Sequence, residues 1–320
     1  MTLRGFLAMI VSSSSGGPLR SEVLLKSRRL RARSSAVKQA LVPCLALLVL
    51  SACADADGDG DGGDRWNRAG MKIAAKASAL RHRFDDQAEP DSARLAAGRE
   101  LLPLDAEFLA SRYHEQPLLV RAIIDAAVAT GDTACLPLVA RLFVSSDGEA
   151  RIDFEVDLIA FGAAAHPRLV DMLRHTDRTI VVGAADALAK GSALAAVPEI
   201  AALLGHADGW IRMGAAHALG QLPSEKATEA LLSALSDTTY AVVNAALVGL
   251  ASQRAVAAYE PALALLIDGR PEVRKHAAHT LGQLGMPQAR EILNRVSHED
   301  PDSGVRFMAT RALQSLDDAD

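Results

Sequence analysis

Five sets of four residues return every 31 or 32 positions through the C-terminal half of this chain. They are Ile180, Ala184, Ala187, Leu188; Ile211, Ala215, Ala218, Leu219; Val242, Ala246, Gly249, Leu250; Val273, Ala277, Thr280, Leu281; and Val305, Ala309, Ala312, Leu313. The spacing i, i+4, i+7, i+8 puts each set on one face of an α-helix. A face that recurs at a fixed period restricts the chain to a stack of supersecondary units, each burying its stripe against the next. Asp147, Asp177, Asp208, Asp237, Asp268 and Asp300 recur at 29–32 residues before the first helix of each unit. A carboxylate there accepts from free N–H groups and suits the positive helix end. Pro137, Pro167 and Pro198 fall just inside the second helix, where a missing N–H costs nothing. The expected fold is all-α, a right-handed α-solenoid of helix pairs, with six full units from about Pro117 and a truncated seventh ending near Leu316.

Composition agrees, since 50% hydrophobic residues with only 4% aromatics suit closely packed helices. The formal charge of −5 hides a division. Residues 53–320 keep 26 of the 34 basic residues and 38 of the 39 acidic ones, a net charge of −12. A body of that sign, without a local basic patch, repels phosphate backbones, so no nucleic-acid partner is expected. The three cysteines form neither a disulfide framework nor a metal pair, and Cys135 reads as a small buried residue at a helix junction.

The N-terminal region carries an address. Gln39 to Ala52 is apolar but too short to span a bilayer as a mature helix, and it ends in Leu50, Ser51, Ala52 and Cys53. This segment resembles the lipobox of bacterial lipoproteins. The resemblance implies a signal peptide over 37–52, diacylglyceryl transfer to the Cys53 thiol, cleavage before it and further acylation with palmitate-type chains. Residues 1–36 read as a gene-model extension or a long n-region, because Val37-Lys38 would open a compact signal by itself. Residues 53–66 alternate Asp and Gly, but an EF-hand frame starting at Asp55 places Trp66 where a bidentate Glu is needed. The stretch is therefore a flexible acidic tether. Residues 67–116 read as an N-terminal helical cap, its first helix (67–85) setting Met71, Ala75, Leu80 and Phe84 on one apolar side. The expected location is the bacterial cell envelope, lipid-anchored, at the periplasmic face of the outer membrane if the source is Gram-negative.

The units themselves resemble HEAT repeats. The phrases Trp210 to Gly220 and Val273 to Gly282 carry the likeness, which is closest to the short type associated with phycobilin lyases and spans 117–316. Deoxyhypusine hydroxylases share that unit type and hold two irons with repeated His-Glu pairs on facing helices. Here the matching position reads His276-Ala277, and His217-Ala218 and His279-Thr280 also lack the Glu. His114-Glu115 and His298-Glu299 lie outside the repeated helical position. No metal, cofactor, small-molecule substrate or catalytic residue is expected. A metal-dependent oxidoreductase of that type, or a lyase-like accessory factor, is the alternative reading. His175 and His206 end second helices, where a cation would favour the negative end.

Function then falls to surfaces, since the repeat fixes shape and not partner. Exposed positions on the second helices are Arg168, Asp171, Glu199, Glu229, Glu260, Arg290 and Arg295, running from mixed to acidic to basic. Trp210 and Tyr240 stand beside unit starts, either as interface anchors or packed over inter-unit turns. Arg212, Arg274 and Arg306 follow the first stripe residue and either meet an anionic partner or bond neighbouring aspartates and helix ends. The expectation is a protein-binding or assembly scaffold whose partner is another envelope protein.

Overall fold

The computed structural model describes residues 62–317, with side chains from residue 70 on. The lipobox residues Leu50 to Cys53 lie outside the described residues. Among the described residues every regular element is helical. The chain divides into two compact units after Lys76. Helix α1 (Gly62–Asp85) begins in the first, where Met71, Ile73 and Ala75 stand in solvent. The expected apolar side of this helix is thus covered only toward its C-terminal end. The second unit gives α1 a core at Ala77, Leu80 and Phe84, whereas Met71 and Ala75 are exposed.

In the second unit α2 (Asp91–Leu101) and α3 (Ala106–Arg112) flank the break at Pro103. Phe84 meets the ring of Phe108 edge-on at 6.0 Å. Gly98 lies so close to α1 and its neighbours that a Cβ would sit 2.3 Å from Ile123 Cδ1 and 3.0 Å from the Phe84 ring.

Six helix pairs follow. They are α4 (Pro117–Thr130) with α5 (Leu136–Ser145), α6 (Gly148–Ala160) with α7 (His166–Met172), and α8 (Arg178–Lys190) with α9 (Val197–Ala202). Then come α10 (Gly209–Gly220) with α11 (Glu225–Ala234), α12 (Tyr240–Ser252) with α13 (Tyr259–Leu265), and α14 (Pro271–Leu284) with α15 (Arg290–Glu299). A single helix, α16 (Ser303–Asp317), comes last. Consecutive first helices pack on one another, from α8 on α10 through α14 on α16. The stripes form the seams, with Ile180, Ile211, Val242, Val273 and Val305 all buried. The result is an all-α solenoid.

The recurring aspartates open these units with one bond. Asp177, Asp208, Asp237, Asp268 and Asp300 each accept, through a side-chain oxygen, from the N–H two residues on, at 2.7–2.9 Å. Asp147 is the N-cap of α6 but makes no such bond. Pro137, Pro167 and Pro198 occupy the first turns of α5, α7 and α9.

The repeated arginines tie the stack together. Arg212 donates to both carboxylate oxygens of Asp237, at 2.7 and 3.0 Å, and to the carbonyls of His206 and Ala207. Arg274 does the same with Asp300, at 2.8 and 2.9 Å, and with the Asp268 carbonyl. Arg306 donates to the carbonyls of Asp300 and Pro301. A two-pronged guanidinium contact fixes angle as well as distance. Arg212 and Arg274 are inter-unit clamps, and Arg306 holds the turn before its own helix, which decides between the two roles open to them in the sequence.

Candidate binding surface

The second helices are short, and each buries one side against its own first helix. Leu169, Ile200, Leu231, Ala262 and Leu293 hold that buried position in five successive units. The opposite side is left to solvent, and the residues singled out in the sequence stand there. Asp171, Glu199, Glu229, Glu260 and Arg295 are all exposed. Arg168 is only half-buried, and its burial lowers the guanidinium pKa, opposed by the charge of Asp171. Arg168 and Asp171 line an open depression of about 500 Å³ with Thr133, Leu136, Ala164 and Pro167, at the N-terminal ends of α5 and α7. Arg290 is paired with Asp317 of α16, so it differs from the outward-pointing Arg295. It also lines a second open depression of about 510 Å³ with Pro287, Gln288, Glu291 and Asn294.

Trp210 and Tyr240 begin α10 and α12 and are 53% and 51% exposed, so most of neither ring is spent on packing. The Arg178 guanidinium lies 6.0 Å from the Trp210 ring centroid. That contact joins the starts of two successive first helices.

The histidines take other roles. His175 and His206 sit in the turns after α7 and α9. Their Nδ1 atoms accept from the N–H of Asp177 and Asp208, at 3.0 and 2.9 Å, so each ring closes the turn that presents the capping aspartate. His217 is exposed beside Gln221, and Asp186 is 3.9 Å away. His279 is half-buried, and its pKa is lowered by burial and then by His276 and Arg311. Among the described residues no three His, Cys, Asp or Glu side chains are grouped to hold a metal ion. No described helix is long and apolar enough to cross a membrane.

Two charged groups escaped the sequence reading. Asp157 sits at the stripe position of α6 where other units carry a small residue, and it is 5% exposed. Both its oxygens accept from Arg121 of α4 at 2.7 Å. Glu155, also on α6, takes the Lys190 ammonium at 2.9 Å; burial raises its pKa, with Lys190 opposing. The signal for Asp157 was its misfit, since a carboxylate in an apolar stripe requires a partner.

No curated protein matches this chain. Among solved structures, the chain is similar to an engineered protein at 23% identity and a TM-score of 0.41, over 57% of this chain and 97% of that one. It is similar to the complex of CpcE and CpcF of phycocyanin lyase from Nostoc at 25% identity and 0.41, over 57% and 76%. Human deoxyhypusine hydroxylase follows at 18% identity and 0.35, over 78% and 99%. The family profile for HEAT repeats matches residues 166–251 and 259–320, and it is HEAT repeats that build this part of the chain.

Proposed function

We propose that this chain is a lipid-anchored protein of the bacterial envelope whose HEAT-repeat solenoid binds and assembles another envelope protein. The observation that carries the binding role is the division of labour among charged side chains. Arg121, Arg212 and Arg274 are consumed by bonds inside the stack, whereas Asp171, Glu199, Glu229, Glu260 and Arg295 face outward on successive second helices. An extended polar face on stacked units suits a partner segment laid along it. Leu50, Ser51, Ala52 and Cys53 support the anchor by their resemblance to a lipobox. Two or three acyl chains, at about 0.8 kcal/mol per buried methylene, give stable membrane attachment.

The anchor is tested by metabolic labelling with a palmitate analogue: Cys53 takes the label, and Cys53→Ser abolishes both label and membrane fractionation. An unlabelled full-length protein overturns the anchor. The scaffold is tested by in-cell crosslinking and affinity purification. One dominant envelope partner is captured by the full-length chain and lost on the combined Glu199→Lys, Glu229→Lys and Glu260→Lys changes. Retention of that partner by the triple variant overturns the surface assignment.

A further inference from the structure

Beneath the 31-residue period lies one of 62. Ala193, Ala195, Ala196, Ala202, Leu203 and Leu204 are matched by Ala255, Ala257, Ala258, Ala264, Leu265 and Leu266. Leu219-Gly220-Gln221-Leu222 is matched by Leu281-Gly282-Gln283-Leu284. The backbone repeats with the sequence. Ser192 and Arg254, 62 apart, are the non-glycine residues with positive φ among the described residues, at 54° and 49°.

The clamps follow this longer period. Arg212 and Arg274 are 62 residues apart, and between and before them the same register holds the buried Val243 and Val181. The seams therefore alternate. Between the fourth and fifth units, Arg212 grips Asp237, and Gly220 lies against Gly249 so closely that a Cβ would be 2.6 Å from the Gly249 Cα. Between the sixth and seventh, Arg274 grips Asp300, and a Cβ on Gly282 would be 2.7 Å from the Ala312 Cα.

The seams after the third and fifth units lack both devices. Between the third and fourth units, Asp208 is 3.9 Å from Arg178, Gln221 reaches Asp186 at 3.3 Å, and Gly214 faces the Val182 methyls. Between the fifth and sixth, Asp268 is occupied by Arg270, two residues on. Cross-links there are Thr280 to the Leu247 carbonyl at 3.2 Å and Arg270 to the Thr238 carbonyl at 3.3 Å.

We infer that the stack moves as two-unit blocks, the fourth with the fifth and the sixth with the seventh, joined by sliding seams after the third and fifth units. A guanidinium fork and a backbone-to-backbone contact each admit one arrangement, whereas side-chain contacts re-pack as helices slide. Glu199, then Glu229 with Glu260, then Arg295 ride on different bodies, so movement at the joints changes their spacing. The joints do not depend on the partner proposed above.

Ser233, Ala264 and Arg295 are exposed, 31 residues apart and in one register on α11, α13 and α15. Spin labels placed there in the full chain, through ketone-bearing residues that leave the native cysteines untouched, compare a clamped seam with a sliding one. The Ala264/Arg295 distance distribution is expected to be broader than Ser233/Ala264 by about 1–2 Å, the scale of helix shifts at packed interfaces. Arg212→Ala broadens the Ser233/Ala264 distribution. Val243→Arg with Arg270→Ala, which frees Asp268 for the new clamp, narrows the Ala264/Arg295 one. Equal widths in the unsubstituted chain overturn the inference. So does an Arg212→Ala protein of unchanged helix content whose Ser233/Ala264 width stays the same. These two results decide it even where an arginine at buried position 243 fails to fold.

Discussion

Asp157 shows how far a single residue departs from its repeat. Its place in α6 corresponds to Ala187, Ala218, Gly249, Thr280 and Ala312 in later units, and its charge is held there by the two-pronged contact with Arg121. Asp157→Ala is expected to destabilise the protein by about 1.5–3 kcal/mol, the scale of hydrogen bonds to charged groups, as read by urea denaturation. The sequence alone hid the partner, because Arg121 and Asp157 are 36 residues apart and Arg121 belongs to no repeated motif. Cys135 was legible, since a lone cysteine beside a helix start reads as a small apolar residue, and it is fully buried. Burial, then the charge of Asp157, pushes its thiol up to about 12. In a Cys44→Ser/Cys53→Ser protein, thiol reagents at pH 8 should leave Cys135 unmodified until denaturant is added; mass spectrometry reads the difference.

At the scale of elements, the stripes were legible because helical periodicity is local and the stack reuses it. The close approaches along those stripes were not. Gly249 is an ordinary apolar-stripe position in sequence and Gly220 directly follows one, yet their helices meet backbone to backbone. Gly220→Ala is expected to cost about 1–3 kcal/mol by forcing α10 and α12 apart, despite alanine's better helix propensity. Gly205→Ala, where a Cβ meets nothing within 4 Å, is the control and stays within about 1 kcal/mol of the unsubstituted protein. Thermal unfolding of the two variants checks the contrast. On α1 Leu80 and Phe84 are covered and Met71 and Ala75 are not, because amphipathic spacing marks a face without saying how far anything covers it. His175 and His206 have structural places, and the bond each ring makes to the capping aspartate's N–H is a detail that position at a helix end does not specify.

Across the whole molecule the clamps make stability depend on acid. Hydrogen bonds from Arg212 and Arg274 lower the pKa values of Asp237 and Asp300, and Arg270 lowers that of Asp268 to about 2. A carboxylate whose folded pKa is depressed contributes stability that is fully present above its unfolded value near 3.9 and is lost as pH falls through the folded one. The melting temperature should therefore hold above about pH 4 and fall toward pH 2, with a shallower fall in an Asp237→Asn/Asp300→Asn protein. Glu155, raised by burial, opposes this trend as a single group. The face proposed to bind a partner is the least legible part at this scale. Glu199, Glu229 and Glu260 recur at 30 and 31 residues and are exposed, so the period that places them says nothing of what they meet.

The seams also set the sequence of events during synthesis. Each first-helix stripe is covered by the unit that follows it, so a growing chain always trails one uncovered apolar face. A nascent chain that has emerged from the ribosome only as far as residue 205 would display the Ala187 and Leu188 face of α8 without the helix that closes it. The joint awaiting that helix is one that carries no arginine grip. Chaperone occupancy on the nascent chain should peak there and fall once Arg212 and Asp237 have both emerged.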